Sequence, residues 1–326
     1  MARPSSASPG RAFLPRSGNG RSVPWLPVLL LTLAATGPLA AQQLGDSAFV
    51  PEIGSPAFDR GTGPRVVLDE AHANFHTLSG RFQAFGRLLT LDGFVVEAGR
   101  TPFTPESLED VDLLVVANAL SRRNEDDWSL PTPSAFTPAE ISAVQSWVEG
   151  GGALLLIADH MPFPGAAADL GRAFGFSFSN GFAMDPGGRG GVVVLRRADG
   201  GVADHPITTG GDRDEPIDSV AVFTGQAFRS PPGAVDLLVL SDGWVSLVPD
   251  TAWQFHASTP RVDVSGWAQG SVLEVGRGRV AVFGEAAMFT AQRAGPGGAA
   301  MGMNAPQAHQ NARFVARLVR WLTRTR

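Results

Sequence analysis

Short apolar runs alternate with amphipathic stretches between residue 65 and about residue 160. Apolar residues spaced three and four apart predict helices, and short runs rich in Val, Leu and Phe predict strands. The predicted order is strand Val66–Asp69, helix near Ser79–Leu91, strand Phe94–Glu97, helical turn Pro105–Glu109 and strand Val111–Asn118. This alternation predicts a parallel sheet with helices on both faces.

The best-defined helix follows residue 137. Thr137 can cap it, Pro138 fits its first position, and Glu140 completes a capping box. The apolar run Ala153–Ala158 comes next and predicts a strand that is buried on both faces.

The second half of the chain shows less periodicity. Residues 175–270 hold short β-like runs between Gly, Asp and Pro clusters, so they predict a β-rich elaboration of the same domain. Order returns with a strand at Arg279–Phe283 and an amphipathic C-terminal helix from about Gln307.

The first 41 residues have the pattern of a secretory signal peptide. They contain four arginines and no acid, followed by the apolar run Val23–Ala35 and small residues up to Ala41. Cleavage after Ala41 predicts a secreted or periplasmic protein without a stable membrane span; an uncleaved N-terminal anchor is the alternative. Residues 42–64 are rich in Gly, Pro, Ser and Ala and predict a flexible linker before a domain at 65–326.

Composition excludes several kinds of chemistry. The chain has no Cys, and all 26 basic residues are Arg. Thiol nucleophiles, Cys-ligated metals, Schiff bases and P-loop lysines are therefore excluded. After the signal segment, 22 arginines stand against 31 acids, a formal charge of −9. An acidic domain without a basic run predicts no nucleic-acid partner.

Polar residues gather where the predicted strands end. Ligands of open parallel sheets bind outside the carboxyl ends of the strands, so these residues are the candidate site. Asp159, His160 and Glu285 are the candidate catalytic residues. The candidate ligand-binding residues are Asp69, Glu70, Asn74, Asn118, Gln292 and Asn304.

Two histidines suggest a metal. His72 and His76 are four residues apart, which on a helix would place both imidazoles on one side. Together with Asp159, His160 and Glu285 they could hold one divalent metal ion. The same groups could instead form an acid/base pair or a hydrogen-bonded polar knot, and Asp69 could simply cap the turn that follows it.

The order of these motifs resembles the class I glutamine amidotransferase-like superfamily. The resemblance rests on Asp69-Glu70-Ala71-His72, on the segment Trp147-Val148-Glu149-Gly150-Gly151-Gly152 with the strand after it, and on His205-Pro206-Ile207-Thr208 followed by Gly210. It covers residues 65–326 and is strongest to an uncharacterised secreted branch near the trehalose-utilisation-protein-like proteins.

The resemblance implies a flavodoxin-like three-layer sandwich with a mostly parallel sheet and a β-rich insertion. Amidotransferases place their catalytic Cys after the strand that here is Ala153–Ala158, where this chain has Asp159 and His160. The resemblance therefore implies the fold without glutaminase activity.

Three functions remain open from the sequence. The first is a secreted domain that binds a small molecule, a sugar or an envelope component at the strand ends. The second is a metal-assisted hydrolase that uses the His/carboxylate cluster. The third is a protein-interaction module that presents residues 175–270 to a partner.

Overall fold

The computed structural model describes residues 43–187, 191–211 and 215–325. The predicted signal segment lies outside the described residues. Within them, no helix is long and apolar enough to cross a membrane. The helices are α1 Gln83–Leu91, α2 Pro105–Leu108, α3 Pro138–Glu149, α4 Phe163–Ala173, α5 Pro206–Thr209 and α6 Asn311–Leu322.

The strands are numbered in chain order from the N-terminal end of the described residues. They are β1 Leu44–Gly45, β2 Arg65–Asp69, β3 Val95–Gly99, β4 Leu113–Ala117, β5 Ala153–Ile157, β6 Ser177–Phe178, β7 Phe182–Met184, β8 Val193–Arg196, β9 Ser219–Val222, β10 Phe228–Arg229, β11 Val235–Val239, β12 Val245–Leu247, β13 Arg261–Asp263, β14 Ala268–Val275, β15 Gly278–Phe283, β16 Ala291–Ala294 and β17 Ala299–Gly302.

The main sheet has nine strands. Five of them are parallel, in the order β3-β2-β4-β5-β15, and β14, β10, β6 and β11 extend the sheet in antiparallel fashion beyond β15. The predicted parallel sheet is thus confirmed. Three smaller antiparallel sheets, β1-β16-β17, β13-β12-β7 and β8-β9, complete the strands.

Helices cover both faces of the parallel strands. On β4, Leu113 and Val115 belong to the core cluster that also contains residues of α1 and α6. Leu114 and Val116 between them belong to the cluster that contains residues of α2, α3 and α4. Side chains alternate across a strand, so a strand buried on both faces is apolar throughout. The α/β class is confirmed.

The capping box of α3 is confirmed. The Glu140 amide donates to Thr137 Oγ1 at 3.3 Å, the Thr137 amide donates to Glu140 Oε2 at 2.9 Å, and Pro138 occupies the first turn. Helix α4 was not predicted from the sequence, because its many small residues give little helical periodicity. Its buried face includes Phe163 and Leu170.

The segment expected as a linker lies against the domain. β1 pairs with β16, the Ala57 amide donates to Asp92 Oδ1 at 2.8 Å, and the ring of Phe58 packs edge-on against that of Phe94 at 5.4 Å. Beside these backbone bonds, the apolar side chains of Phe49, Ile53 and Phe58 pack against the core.

The β-rich elaboration brings two distant loops together. The loop before β13 runs beside residues 122–131, which follow β4. The Leu130 amide donates to Asp250 O at 2.8 Å, and the Ala252 amide donates to Trp128 O at 2.9 Å. This pairing places aromatic side chains of both loops at the carboxyl ends of the parallel strands.

Candidate functional site

The loops that follow neighbouring strands are joined by hydrogen bonds. The Leu120 amide donates to His72 O at 2.9 Å, and the Phe75 amide donates to Asn118 O at 3.0 Å. The Asp159 amide donates to Asn118 Oδ1 at 2.9 Å. The structure thus brings together the residues that follow β2, β4 and β5. Asn118 has φ of 49°, a left-handed conformation that Asn tolerates better than most residues.

Two carboxylates hold His72 between them, and we call Asp69, His72 and Glu140 the His72 cluster. His72 Nδ1 lies 2.9 Å from both Asp69 oxygens, and His72 Nε2 lies 2.8 Å from Glu140 Oε1. All three residues are buried. Burial alone would lower the pKa of His72, but the hydrogen bonds and charges of Asp69 and Glu140 outweigh it and raise that pKa.

The His72 cluster ties the loop after β2 to α3. Burial acts to raise the pKa of Glu140, whereas its bonds to Thr137 and His72 lower the pKa more strongly. Asp69 also accepts from the Ala71 amide and from Asn74 Nδ2 at 2.9 Å, so Asn74 belongs to the same network. The protein itself occupies both ring nitrogens of His72, which leaves the ring no lone pair for a ligand.

His72 and His76 do not lie on one side of a helix, contrary to the spacing argument. Residues 70–76 are not helical, and Ala73 has φ of 47°. The His76 ring packs on Phe82 with a centroid distance of 4.8 Å, away from the partners of His72. Among residues 43–187, 191–211 and 215–325, no group of three or more His, Asp or Glu is arranged to hold a metal.

Glu70 takes part in local structure rather than in the His72 cluster. Its Oε1 accepts from the Leu78 amide at 2.9 Å, and its Oε2 pairs with Arg100 at 3.1 Å. These bonds hold the loop between β2 and α1. The structure shows Glu70 engaged on both carboxylate oxygens.

Asp159 and Glu285 lie close together at the ends of β5 and β15. Asp159 accepts from the amides of His160 at 2.7 Å and Ala286 at 3.4 Å. Glu285 is fully buried and accepts from the amides of Ala287 at 2.8 Å and Met288 at 2.7 Å. Burial, followed by the charge of Asp159, raises the pKa of Glu285 well above its usual value. Glu285 therefore caps a turn and is sealed from solvent.

His160 keeps one ring nitrogen available. Its Nδ1 lies 2.8 Å from Met161 O, and because a carbonyl can only accept, Nδ1 carries the proton. Nε2 then has a lone pair and no hydrogen-bond partner among the described residues. The ring stacks on Phe182 at 4.6 Å and meets the Trp253 ring edge-on at 4.6 Å, and the residue remains 8% exposed.

Aromatic rings continue on both sides of His160. Phe75 contacts Trp128 at 5.3 Å, and Trp128 lies 6.1 Å from His160. Beyond His160, the chain of ring contacts ends in exposed side chains, since Trp253 is 52% exposed and Phe255 38%. We call these five residues the aromatic patch. Its four members other than His160 were not predicted from the sequence, because they come from three loops without periodicity.

Gln292 lies on β16 of the small sheet β1-β16-β17, and Asn304 lies in the turn just after β17. Asn304 Nδ2 donates to Gln292 O and to Asp46 Oδ2, both at 3.0 Å, and Gln292 Nε2 donates to Thr290 Oγ1 at 2.8 Å. Gln292 Oε1 and Asn304 Oδ1 have no hydrogen-bond partner among the described residues. The Asn304 side chain thus joins the N-terminal segment to β16, whereas the Gln292 side chain bonds within its own loop.

Solved structures share this architecture at low sequence identity. The structure titled "mmIFT52 N-terminal domain" is 14% identical, with a TM-score of 0.54 over 79% of this chain and 97% of that chain. That similarity supports the fold and nothing further. No family model matches the sequence, and no curated protein matches it.

Two ThuA-like proteins also appear among the structural neighbours. The protein from Bacteroides uniformis is 14% identical, with a TM-score of 0.45 over 84% of this chain and 94% of its own. The protein from Parabacteroides merdae is 12% identical, with a TM-score of 0.41 over 80% of this chain and 90% of its own. Similarities of this size do not establish a common function.

Proposed function

We propose that this protein binds a carbohydrate at the aromatic patch and has no glutaminase activity. The observation that carries the proposal is His160, whose ring lies beside those of Trp128 and Trp253 and whose Nε2 has no hydrogen-bond partner among the described residues. Sugars present both apolar C–H faces and hydroxyl groups. Aromatic walls with a few polar atoms suit such a ligand. The chain has no Cys to act as a glutaminase nucleophile.

The position of the patch in the sheet supports the proposal. Along the sheet, the chain order of the parallel strands reverses direction at β2 and β4. The loops after two such strands leave toward opposite faces and open a crevice where ligands bind. Phe75 follows β2 and Trp128 follows β4, and their rings are in contact across this point.

We extend the proposal to family and location. The parallel order, renumbered by chain position, is 2-1-3-4-5, which is the flavodoxin-like order. It supports a class I glutamine amidotransferase-like domain near the trehalose-utilisation-protein-like branch. The arginine-containing, acid-free leader with its apolar run supports secretion or periplasmic export, with cleavage after Ala41.

The metal-assisted hydrolase and the protein-interaction module have less support. Asp69 and Glu140 already bind both ring nitrogens of His72, which the metal hypothesis needs as a ligand. The exposed rings of Trp253 and Phe255 belong to the β-rich elaboration but lie against the strand-end loops, where Trp253 contacts His160. Carbohydrate binding uses the unpaired Nε2 of His160 and these exposed rings together.

A panel of neutral and acidic oligosaccharides tests the proposal. Calorimetry of residues 42–326 should find a ligand that binds the wild type and binds Trp253→Ala at least tenfold more weakly. Val262→Ala is the matched control, because Val262 is also exposed but lies on β13. Both variants should unfold at the same temperature as the wild type. Equal affinity in Trp253→Ala, or no binding of any oligosaccharide, would contradict the proposal.

A further inference from the structure

An arginine stands at one end of the aromatic patch. The Arg81 guanidinium carbon lies 4.2 Å from the centre of the Phe75 ring, which contacts Trp128 of the patch. The side chain is half-buried, and its Nε donates to Gln43 O at 3.2 Å. The ring and this bond hold the guanidinium in place, so it is oriented before any ligand arrives.

Arg81 has no carboxylate partner among the described residues. Other arginines near the parallel strands do have one: Arg65 pairs with Glu97, Arg100 with Glu70, and Arg320 with Asp92. Burial lowers the pKa of Arg81, as expected for a cation that leaves water without gaining a counter-ion. Its two terminal nitrogens remain available, and a guanidinium binds a carboxylate through two parallel hydrogen bonds.

Arg81 has a second unpaired polar group near it. His76 is buried beside it, and its Nδ1 has no hydrogen-bond partner within the described part of the chain. Burial and then the charge of Arg81, with a smaller part from His160, lower the pKa of His76 to about 3. The carboxylate of Asp159 accepts from the amides of His160 and Ala286, so backbone donors already hold it. Arg81 is therefore the cation at this end of the patch that lacks a carboxylate partner among the described residues, and its complement is an anion.

We propose that the carbohydrate bound at the aromatic patch is acidic and that its carboxylate pairs with Arg81. A uronic acid fits this description, because its ring can stack on the aromatic side chains while its carboxylate reaches the guanidinium. This inference rests on the proposed function. It requires the ligand to carry a negative charge, which carbohydrate binding alone does not require.

Paired oligosaccharides separate the two proposals. The probes are an oligogalacturonate and the same oligosaccharide with its carboxyl groups reduced to alcohols. The wild type should bind the acid form at least tenfold more tightly than the reduced form, with an affinity that falls as salt rises. Arg81→Gln should bind both forms equally, at the affinity that the wild type has for the reduced form.

The control variant is Arg100→Gln, since Arg100 is also near the strand ends but already pairs with Glu70. It should keep the preference for the acid form. Unchanged binding of the reduced form by Arg81→Gln also shows that this variant is folded.

Three results would contradict one or both of the proposals. If the wild type binds the two forms equally, the patch binds carbohydrate but the assignment to an acidic ligand fails. If neither form binds, the proposed function itself fails for this ligand class. If a phosphorylated sugar binds more tightly than the uronate and Arg81→Gln loses that binding, the anion is a phosphate and not a carboxylate.

Discussion

Two histidines four residues apart in one loop have opposite surroundings. His72 lies between two carboxylates, at 2.9 Å and 2.8 Å, and its pKa is raised. His76 lies among aromatic rings near Arg81, its Nδ1 is unpartnered, and its pKa is lowered to about 3. The same residue type therefore serves as a charged structural tie in one place and as a neutral group in the other.

Hydrogen-bond partners distinguish the structural residues of this molecule from the residues of its candidate site. In the His72 cluster, every donor of the ring has an acceptor from the protein, so the cluster stabilises the fold and offers a ligand little. Around His76, Arg81 and His160, nitrogen atoms remain unpaired beside exposed rings. Unpaired polar groups in a partly buried place cost stability unless a ligand satisfies them.

Replacing His72 with Ala should have the largest effect on stability. The variant leaves the carboxylates of Asp69 and Glu140 buried without a cation, and breaking a buried ion pair on one side costs about 3–5 kcal/mol. Urea denaturation measures the free energy of unfolding. His256→Ala is the control, because His256 is exposed and its loss should change that energy by less than about 0.5 kcal/mol. A loss below about 1 kcal/mol for His72→Ala would show that the cluster is not a structural tie.

Glu140→Gln should cost less. The amide keeps the shape and can still accept from the Thr137 amide, but it loses the charge-assisted bond to His72 Nε2. Loss of a hydrogen bond to a charged group costs about 1.5–3 kcal/mol. The control is Glu106→Gln, which changes an exposed acid in the first turn of α2. Equal denaturation midpoints for the two variants would contradict the role of Glu140.

The stability of the wild type should fall as pH rises above about 6.5. The pKa of His72 is higher in the folded than in the unfolded protein, so its contribution is fully present below the unfolded pKa and is lost as pH rises through the folded pKa. The slope in that window is at most about 1.4 kcal/mol per pH unit. Unfolding curves across pH 6 to 9 measure it. His72→Ala should lack this slope, and an unchanged slope in the variant would assign it to another group.

The smallest expected change is at His76. Its pKa of about 3 predicts an imidazole that stays neutral from pH 8 to pH 4, so its NMR resonances should not shift over this range. A His76 midpoint near 6.5 would mean that the imidazole is neither buried nor close to the charge of Arg81. The contrast with His72 would then disappear.

Local signals were strong where one segment carries the whole pattern. The capping box at Thr137 and Glu140 predicted the start of α3, and the apolar run after residue 152 predicted β5. The second role of Glu140, as an acceptor for His72, was not predictable because 68 residues separate the two. Helix α4 was missed because Ala and Gly positions conceal its buried face.

The candidate site shows the same contrast between local signals, which were predictable, and contacts between distant segments, which were not. Strand-end logic selected Asp69, Asn118, Asp159 and His160, and the structure places these residues in loops that contact one another. It did not select Arg81, Trp128 or Trp253. Their relation depends on ring contacts between segments that are far apart in the chain.

The sequence alone is enough to predict the alternation of strands and helices, to exclude several kinds of chemistry, and to place polar residues at the carboxyl ends of the strands. Those properties follow from side-chain periodicity and composition, which are local. Which imidazole is held by carboxylates, and which lies near a guanidinium without a carboxylate partner, depends on the tertiary structure. Hydrogen-bond partners and burial are set by packing between distant segments, and they alone determine whether a polar residue stabilises the fold or remains free for a ligand.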